Sequence, residues 1–155
     1  MVRVVSIREA EATALQEKDG FYTLKGYQTN ETAELTTAME DYLEMICRMS
    51  EQSKVVRISS LAQALHVKPP SASKMAGNLR AQELIEFPKY GYITLTPMGK
   101  KLGEYLVQRH ETIGRLLCLI NGTQDELEEV EKIEHFLSPR TVLNIRKFLE
   151  QQEKK

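Results

Sequence analysis

The sequence lacks the features of a secreted, membrane-bound or disordered protein. Its 155 residues include only two cysteines, Cys47 and Cys118, which is too few for a disulfide scaffold and typical of a reducing compartment. No window approaches the roughly 20 apolar residues of a membrane span, the N-terminus has no signal-peptide pattern, and no low-complexity tract occurs. With 41% hydrophobic and 28% charged residues, the sequence predicts a folded cytoplasmic protein without membrane contacts.

The net charge of −1 hides two strongly charged segments of opposite sign. Residues 54–101 carry eight lysines and arginines against two glutamates, whereas residues 125–135 carry six acidic residues against one lysine. The first composition favours binding of a polyanion, and the second favours binding of cations. The alternative is that both segments are solvated surfaces.

The basic segment has the element order of a winged helix-turn-helix. Apolar periodicity predicts a long helix at 36–50, a short helix whose N-cap is Ser59 or Ser60, and a second helix that restarts after two prolines. Two short strands then flank the turn at 88–91. In this fold the second helix enters the major groove and the hairpin lies along the DNA backbone. We therefore expect DNA contacts from the second helix and the wing tip: Lys68, Pro70, Ser71, Ser73, Lys74, Arg80, Lys89 and Tyr90.

Three more helices are predicted downstream. Thr96-Pro97 starts a long helix that ends at Asn121-Gly122, which is a typical C-terminal signal. Thr123 and Glu126 have the spacing of a capping box for an acidic helix, and Ser138-Pro139 starts the last helix.

The apolar stripe of this last helix points to a second copy of the chain. Little of the remaining sequence is left to cover it, so we expect a homodimer formed through the C-terminal helices. The predicted fold is mainly α. It has a loosely ordered N-terminal arm at 1–35, a winged helix-turn-helix at 36–96, and a helical metal-binding and dimerisation domain at 97–155.

Carboxylates and histidines recur at helical spacing on three of these helices. Glu131, Glu134 and His135 are separated by three and four residues, which stacks them on one edge of a helix. Four carboxylates and two imidazoles form a donor set for one or two divalent metals in a helical bundle. The alternative is a solvated edge, with His110 paired locally to Glu111. The candidate ligands are Asp41, Glu44, His110, Glu131, Glu134 and His135.

The chain resembles the diphtheria-toxin-repressor family over about residues 36–150, and most closely its manganese transport regulator branch. The resemblance lies in four successive segments: AMEDYLEMI, LAQALHVKPPSASKMAGNL, LTPMGKKLGEYLVQRHE and VEKIEHFLS. It implies a homodimeric regulator of double-stranded operator DNA that represses metal-uptake genes, with the same six residues as metal ligands. Iron-responsive relatives carry Met at the position of Asp41 and Cys at that of Glu131.

The donor set and the resemblance together indicate the metal. Oxygen donors with two nitrogens and no sulfur suit a hard ion, so we expect one or two Mn²⁺ per chain, with Fe²⁺ as the alternative. A dimetal enzyme could use the same ligands, but the sequence offers no Gly-rich loop and no activated serine or cysteine, so we predict no enzyme activity. A winged-helix regulator that senses a small organic ligand is the other alternative.

Overall fold

A computed structural model of the chain describes residues 35–53, 55–88 and 91–155. The elements, in order, are α1 (Thr37–Ser53), α2 (Ile58–Ala64), α3 (Pro69–Ala81), β1 (Ile85–Glu86), β2 (Thr94–Leu95), α4 (Pro97–Asn121), α5 (Leu127–Ile133), a 3-10 turn (Glu134–Phe136) and α6 (Pro139–Glu153). The predicted fold class, mainly helical with an N-terminal winged helix-turn-helix, is confirmed. The predicted arm at 1–35 lies outside the described residues except for Leu35.

The strands form a small antiparallel wing. Ile85 pairs with Leu95 and Glu86 with Thr94. The segment before α2 joins this hairpin, since Val56 forms a bridge with Ile93. The wing is thereby attached to the helical part of the DNA-binding unit on both sides of α2 and α3.

Local capping sets where the two long C-terminal helices begin. The side chain of Thr96 accepts a hydrogen bond from the backbone N–H of Gly99 at the start of α4, and Ser138 does the same for Thr141 at the start of α6. Gly122 closes α4 in the left-handed conformation, with φ 66°, where a residue without Cβ is favoured. The predicted start and end of α4 and the predicted start of α6 are confirmed.

Two capping predictions are wrong. Helix α2 begins earlier than expected, and Arg57 is its N-cap. Ser60 is the third residue of the helix. Its hydroxyl accepts from the backbone N–H of Arg57 at 3.1 Å and donates to the backbone oxygen of Arg57 at 2.9 Å. Helix α5 begins later, at Leu127, so Glu126 is itself the N-cap. The Thr123 hydroxyl donates to the Glu126 carboxylate at 2.5 Å, so the pair is in contact but is not a capping box.

Helix α1 lies in the centre of the core. Its residues Leu43 and Ile46 have no exposed surface and belong to one apolar cluster with residues of α2, α3 and the wing. Helix α4 crosses α1 closely, since a Cβ on Gly103 would lie 2.9 Å from the Cβ of Cys47. The long helix of the second domain is thereby packed directly on the first helix of the DNA-binding unit.

The last helix is partly covered within the chain, contrary to the expectation that its apolar stripe has little to pack against. Val142 and Leu149 are buried where α6 packs on α4, and Arg146 donates to Gln108 at 3.2 Å across the two helices. Phe148 remains 44% exposed.

None of the helices in the described part of the chain has the length and apolar character that a membrane span requires.

Gly99 offers a test of the close packing between α4 and the wing. A Cβ there would lie 1.8 Å from the backbone oxygen of Leu84, so Gly99→Ala forces the backbone apart. We expect it to lower the free energy of unfolding by about 2 kcal/mol or more, measured by urea denaturation.

The control is Gly77→Ala in α3. A Cβ at Gly77 meets nothing within 4 Å, so alanine should raise helix stability, by up to about 1 kcal/mol. Equal effects of the two substitutions would contradict the packing argument.

Candidate metal centre and nucleic-acid interface

Three elements bring the six predicted metal ligands together. Helix α1 contributes Asp41 and Glu44, whereas its residues Tyr42, Leu43 and Ile46 belong to the apolar cluster. Glu44 is itself buried, and Asp41 is partly exposed. Helix α4 contributes His110 thirteen residues after it begins. The remaining three ligands lie where α5 passes into the 3-10 turn: Glu131, Glu134 and His135.

The six side chains form two groups that share one carboxylate. In the first group, one ligand atom from each member lies within 4.8 Å of those of the others: Asp41, Glu131, Glu134 and His135. The second group meets the same criterion with Glu44, His110 and Glu134. Glu134 therefore lies between the two groups, and every predicted ligand belongs to at least one of them.

Glu134 is fully buried, and both of its carboxylate oxygens are without a hydrogen-bond partner in the described part of the chain. The same is true of His110 Nδ1, which lies 3.3 Å from Glu134 Oε2. Buried polar groups in native proteins are nearly always satisfied, and buried charges are paired or bind metals. These three buried oxygen and nitrogen atoms without a hydrogen-bond partner are suitable ligands for a divalent cation.

The imidazole nitrogens face the carboxylates. His110 Nδ1 is 3.6 Å from Glu131 Oε1 and 3.7 Å from Glu44 Oε1. His135 Nε2 lies 2.8 Å from Asp41 Oδ1 and 3.8 Å from Glu134 Oε1. His110 therefore faces carboxylates of α1 and α5, while Glu131 keeps half of its side chain exposed.

Burial and neighbouring carboxylates shift the pKa values of four groups in the centre. Burial raises the pKa of Glu44 and, together with the nearby Glu134 carboxylate, that of Glu131. The carboxylate of Glu134 raises the pKa of His110, and hydrogen bonds to Asp41 and Glu40 raise the pKa of His135 to about 10. Both imidazoles therefore lie where the neighbouring carboxylates favour the charged form of the ring.

Sequence reasoning missed three charged residues beside the centre. Arg109 is buried and donates to Glu40 Oε2 at 2.6 Å, and that oxygen is also 2.8 Å from His135 Nδ1. Because Glu40 holds Nδ1 of His135, the other ring nitrogen, Nε2, faces Asp41. Arg48 donates to Glu44 from one helical turn away. The available signal was an arginine on the buried face of α4, directly before His110.

The predicted recognition helix presents its polar side to solvent. In α3, Ala72, Ala76 and Leu79 are buried, while the other side leaves exposed five predicted DNA contacts: Lys68, Pro70, Ser71, Ser73 and Lys74. Lys68 is the N-cap, and the two prolines occupy the first helical positions. A polar face at the start of a helix is the part that reads base edges in this fold.

Three of the predicted DNA contacts belong to the wing region or lie beside it. Arg80 donates to the backbone oxygen of Phe87 at 3.0 Å, so it ties α3 to the wing. Lys89 and Tyr90, the predicted wing-tip contacts, lie outside the described residues. Arg57, which sequence reasoning did not select, stacks 5.0 Å from the ring centre of Tyr92 at the base of the wing.

A winged helix-turn-helix joined to a helical domain with this donor set defines a metal-responsive, DNA-binding transcriptional regulator. Residues 34–93 match the iron dependent repressor N-terminal DNA binding domain, and residues 96–155 match the iron dependent repressor metal binding and dimerisation domain. The chain is 42% identical over 104 residues to the HTH-type transcriptional regulator MntR of Geobacillus thermodenitrificans, covering 66% of this chain and 74% of that protein. The chain belongs to the iron-dependent repressor family, the family of the diphtheria-toxin repressor.

Solved structures show the same fold. The chain superposes on the manganese regulator SloR with a TM-score of 0.65 and 29% identity, covering 75% of this chain and 55% of that one. It superposes on ScaR with bound Zn²⁺ with a TM-score of 0.60 and 30% identity, covering 72% and 53%. It thus spans about half the length of these chains. Family membership confirms the predicted class, a metal-responsive transcriptional regulator. It also confirms the prediction that the chain is not an enzyme, because the family consists of transcriptional regulators.

The Arg109–Glu40 pair can be tested through stability. Glu40→Gln leaves the buried guanidinium without its carboxylate, so we expect the free energy of unfolding to fall by about 3 kcal/mol. Urea denaturation in the presence of a chelator measures this loss.

Glu153→Gln is the matched control, because Glu153 pairs with Arg115 at an exposed site. Its cost should stay below about 1 kcal/mol. A loss for Glu40→Gln as small as that of the control would show that the buried pair does not stabilise the domain contact.

Proposed function

We propose that the chain is a manganese-responsive repressor of metal-uptake genes that binds operator DNA as a homodimer. The observation that carries the proposal is the convergence of α1, α4 and the end of α5 on the buried carboxylate of Glu134. Its ligands for one or two Mn²⁺ are proposed to be Asp41, Glu44, His110, Glu131, Glu134 and His135.

The donor chemistry favours manganese. Both groups offer carboxylate oxygens with one imidazole each and no sulfur, and such donors suit Mn²⁺ and, second, Fe²⁺. ScaR is a manganese-activated repressor that has been crystallised with Zn²⁺ and with Cd²⁺, so this relative accepts more than one ion. Selectivity then depends on geometry and on metal supply more than on affinity alone.

Metal control acts through α1, which has two roles in this proposal. One side of α1 forms the core of the DNA-binding unit, and the other side carries Asp41 and Glu44 to the ligands of the second domain. A bound divalent ion supplies the positive charge that lets these carboxylates lie together. In its absence Asp41, Glu44, Glu131 and Glu134 repel one another, which loosens α1 from α5. The orientation of α3 relative to the dimer is then less defined.

The DNA-binding unit, assigned to residues 36–96, meets the major groove with the start of α3. Ser71, Ser73 and Lys74 lie on the exposed side of α3 and are proposed to contact base edges and phosphates. Arg57 and Tyr92, which stack on each other at the base of the wing, are proposed to contact the DNA backbone.

The second domain, assigned to residues 97–155, supplies the dimer contact. It keeps several large apolar side chains at the surface, which suits burial against a second copy: Leu119, Ile120, Leu127, Phe136 and Phe148. A DNA-binding repressor acts where the DNA is, so we infer a cytoplasmic location.

The ligand assignment makes a graded prediction for metal titration by calorimetry. Glu131 belongs only to the first group and His110 only to the second, whereas Glu134 belongs to both. We expect Glu131→Gln and His110→Gln each to weaken one binding event, and Glu134→Gln to abolish both.

Glu129→Gln is the control, since Glu129 pairs with Lys132 and belongs to neither group. It should bind Mn²⁺ as the unchanged chain does. Retention of full binding by Glu134→Gln would overturn the ligand assignment.

Metal control of DNA binding is tested with a duplex selected from a random pool in the presence of Mn²⁺. Fluorescence anisotropy should show binding at least about tenfold tighter with Mn²⁺ than with chelator, and the duplex should tighten Mn²⁺ binding by the same factor. Glu134→Gln should lose the gain from Mn²⁺. Equal affinities of the unchanged chain with metal and chelator would favour the regulator that senses an organic ligand.

A further inference from the structure

Glu44 already has a cationic partner inside the proposed metal centre. Arg48 lies one helical turn further along α1 and donates from both Nε, at 3.1 Å, and Nη2, at 2.8 Å, to the same oxygen, Glu44 Oε1. That oxygen is also the one that lies 3.7 Å from His110 Nδ1. A guanidinium therefore binds Glu44 on the oxygen that faces the second donor group.

The two donor groups differ in this respect. Among the described residues, the salt bridges of the first group's three carboxylates are formed with His110 or His135 alone. The carboxylate that belongs only to the second group, Glu44, has a permanently charged arginine in addition. Histidine can give up its proton to become a metal ligand, whereas arginine keeps its charge at any physiological pH.

We propose that Arg48 competes with the metal for Glu44, so that the second group takes an ion more weakly than the first and only when the guanidinium leaves Oε1. This inference rests on the proposed function. Two donors occupy the lone pairs of Oε1, and a divalent cation there would lie beside a fixed positive charge. The side chain of Arg48 is 32% exposed, so its charge can move into solvent while its stem stays on the helix.

The consequence is a response in two steps. At low metal the first group fills while Arg48 compensates Glu44. At higher metal the guanidinium would leave Oε1, and Glu44 and His110 would then hold the second ion between α1 and α4. Arg48 thus sets the metal concentration at which the second step occurs.

The test is calorimetric titration of the metal-free chain with Mn²⁺, comparing the unchanged chain with Arg48→Met. Methionine keeps a long side chain and a good helix former while removing the charge. We expect the weaker of two dissociation constants to fall about tenfold or more, since one charge-assisted pair no longer competes. The tighter constant should stay within about twofold because the first group lacks Arg48. Arg48→Lys, which keeps the charge without the two-pronged geometry, should give an intermediate value.

Lys100→Met is the matched control. Lys100 forms an i,i+4 pair with Glu104 on α4. Its substitution by methionine removes the same positive charge at a position ten residues, about 15 Å, before His110. It should leave both constants unchanged. In a His110→Gln background, which disables the second group, Arg48→Met should also have no effect.

The outcomes separate this inference from the proposed function. If the unchanged chain binds no Mn²⁺, the proposed function fails. If it binds Mn²⁺ and Arg48→Met leaves the weaker dissociation constant unchanged, Arg48 does not compete with the metal. If Arg48→Met raises that constant, Arg48 supports binding of the second ion instead of opposing it. If Arg48→Met alters folding, shown by thermal melting with chelator, Arg48→Gln replaces it, and an unchanged weaker constant in that variant is equally decisive.

Discussion

The rest of the centre depends on the buried carboxylate of Glu134. Both of its oxygens lack a hydrogen-bond partner among the described residues, and both donor groups include this carboxylate. A carboxylate in that position is costly unless positive charge is close. The Glu134 carboxylate raises the pKa of His110, whereas Asp41 and Glu40 raise the pKa of His135. A metal ion held by these imidazole nitrogens would supply positive charge in place of protons.

Helix α1 converts this local charge balance into a property of the DNA-binding unit. Leu43 and Ile46 fix one of its sides in the core shared with α3 and the wing, while Asp41 and Glu44 meet the ligands of the second domain on the other. A packed helix moves as a unit, so it cannot adjust its ligand side without carrying its core side along. The metal centre and the recognition helix are therefore coupled by a rigid element.

Local spacing in the sequence was enough to select candidate donor residues. Glu131, Glu134 and His135 follow one another within five positions, so their proximity needed no tertiary information. Their surroundings could not be predicted in the same way. Helix α5 ends at Ile133 and a 3-10 turn follows, so Glu134 is buried where a continuous helix suggested an edge. The Arg109–Glu40 contact joins residues 69 positions apart, which local spacing does not reveal. The N-cap at Arg57 depends on hydrogen bonds between the Ser60 hydroxyl and the backbone of Arg57, three residues earlier.

The cations beside the centre differ in whether they can leave. Arg109 is almost fully buried and is bonded to Glu40, which also holds His135, so its release would strand a charge inside the protein. Arg48 lies partly in solvent, where its charge is hydrated once it separates from Glu44. The first arginine therefore acts as a fixed part of the scaffold that orients a ligand. The second can exchange with an incoming ion, so burial, more than residue type, determines which positive charge is structural and which is replaceable.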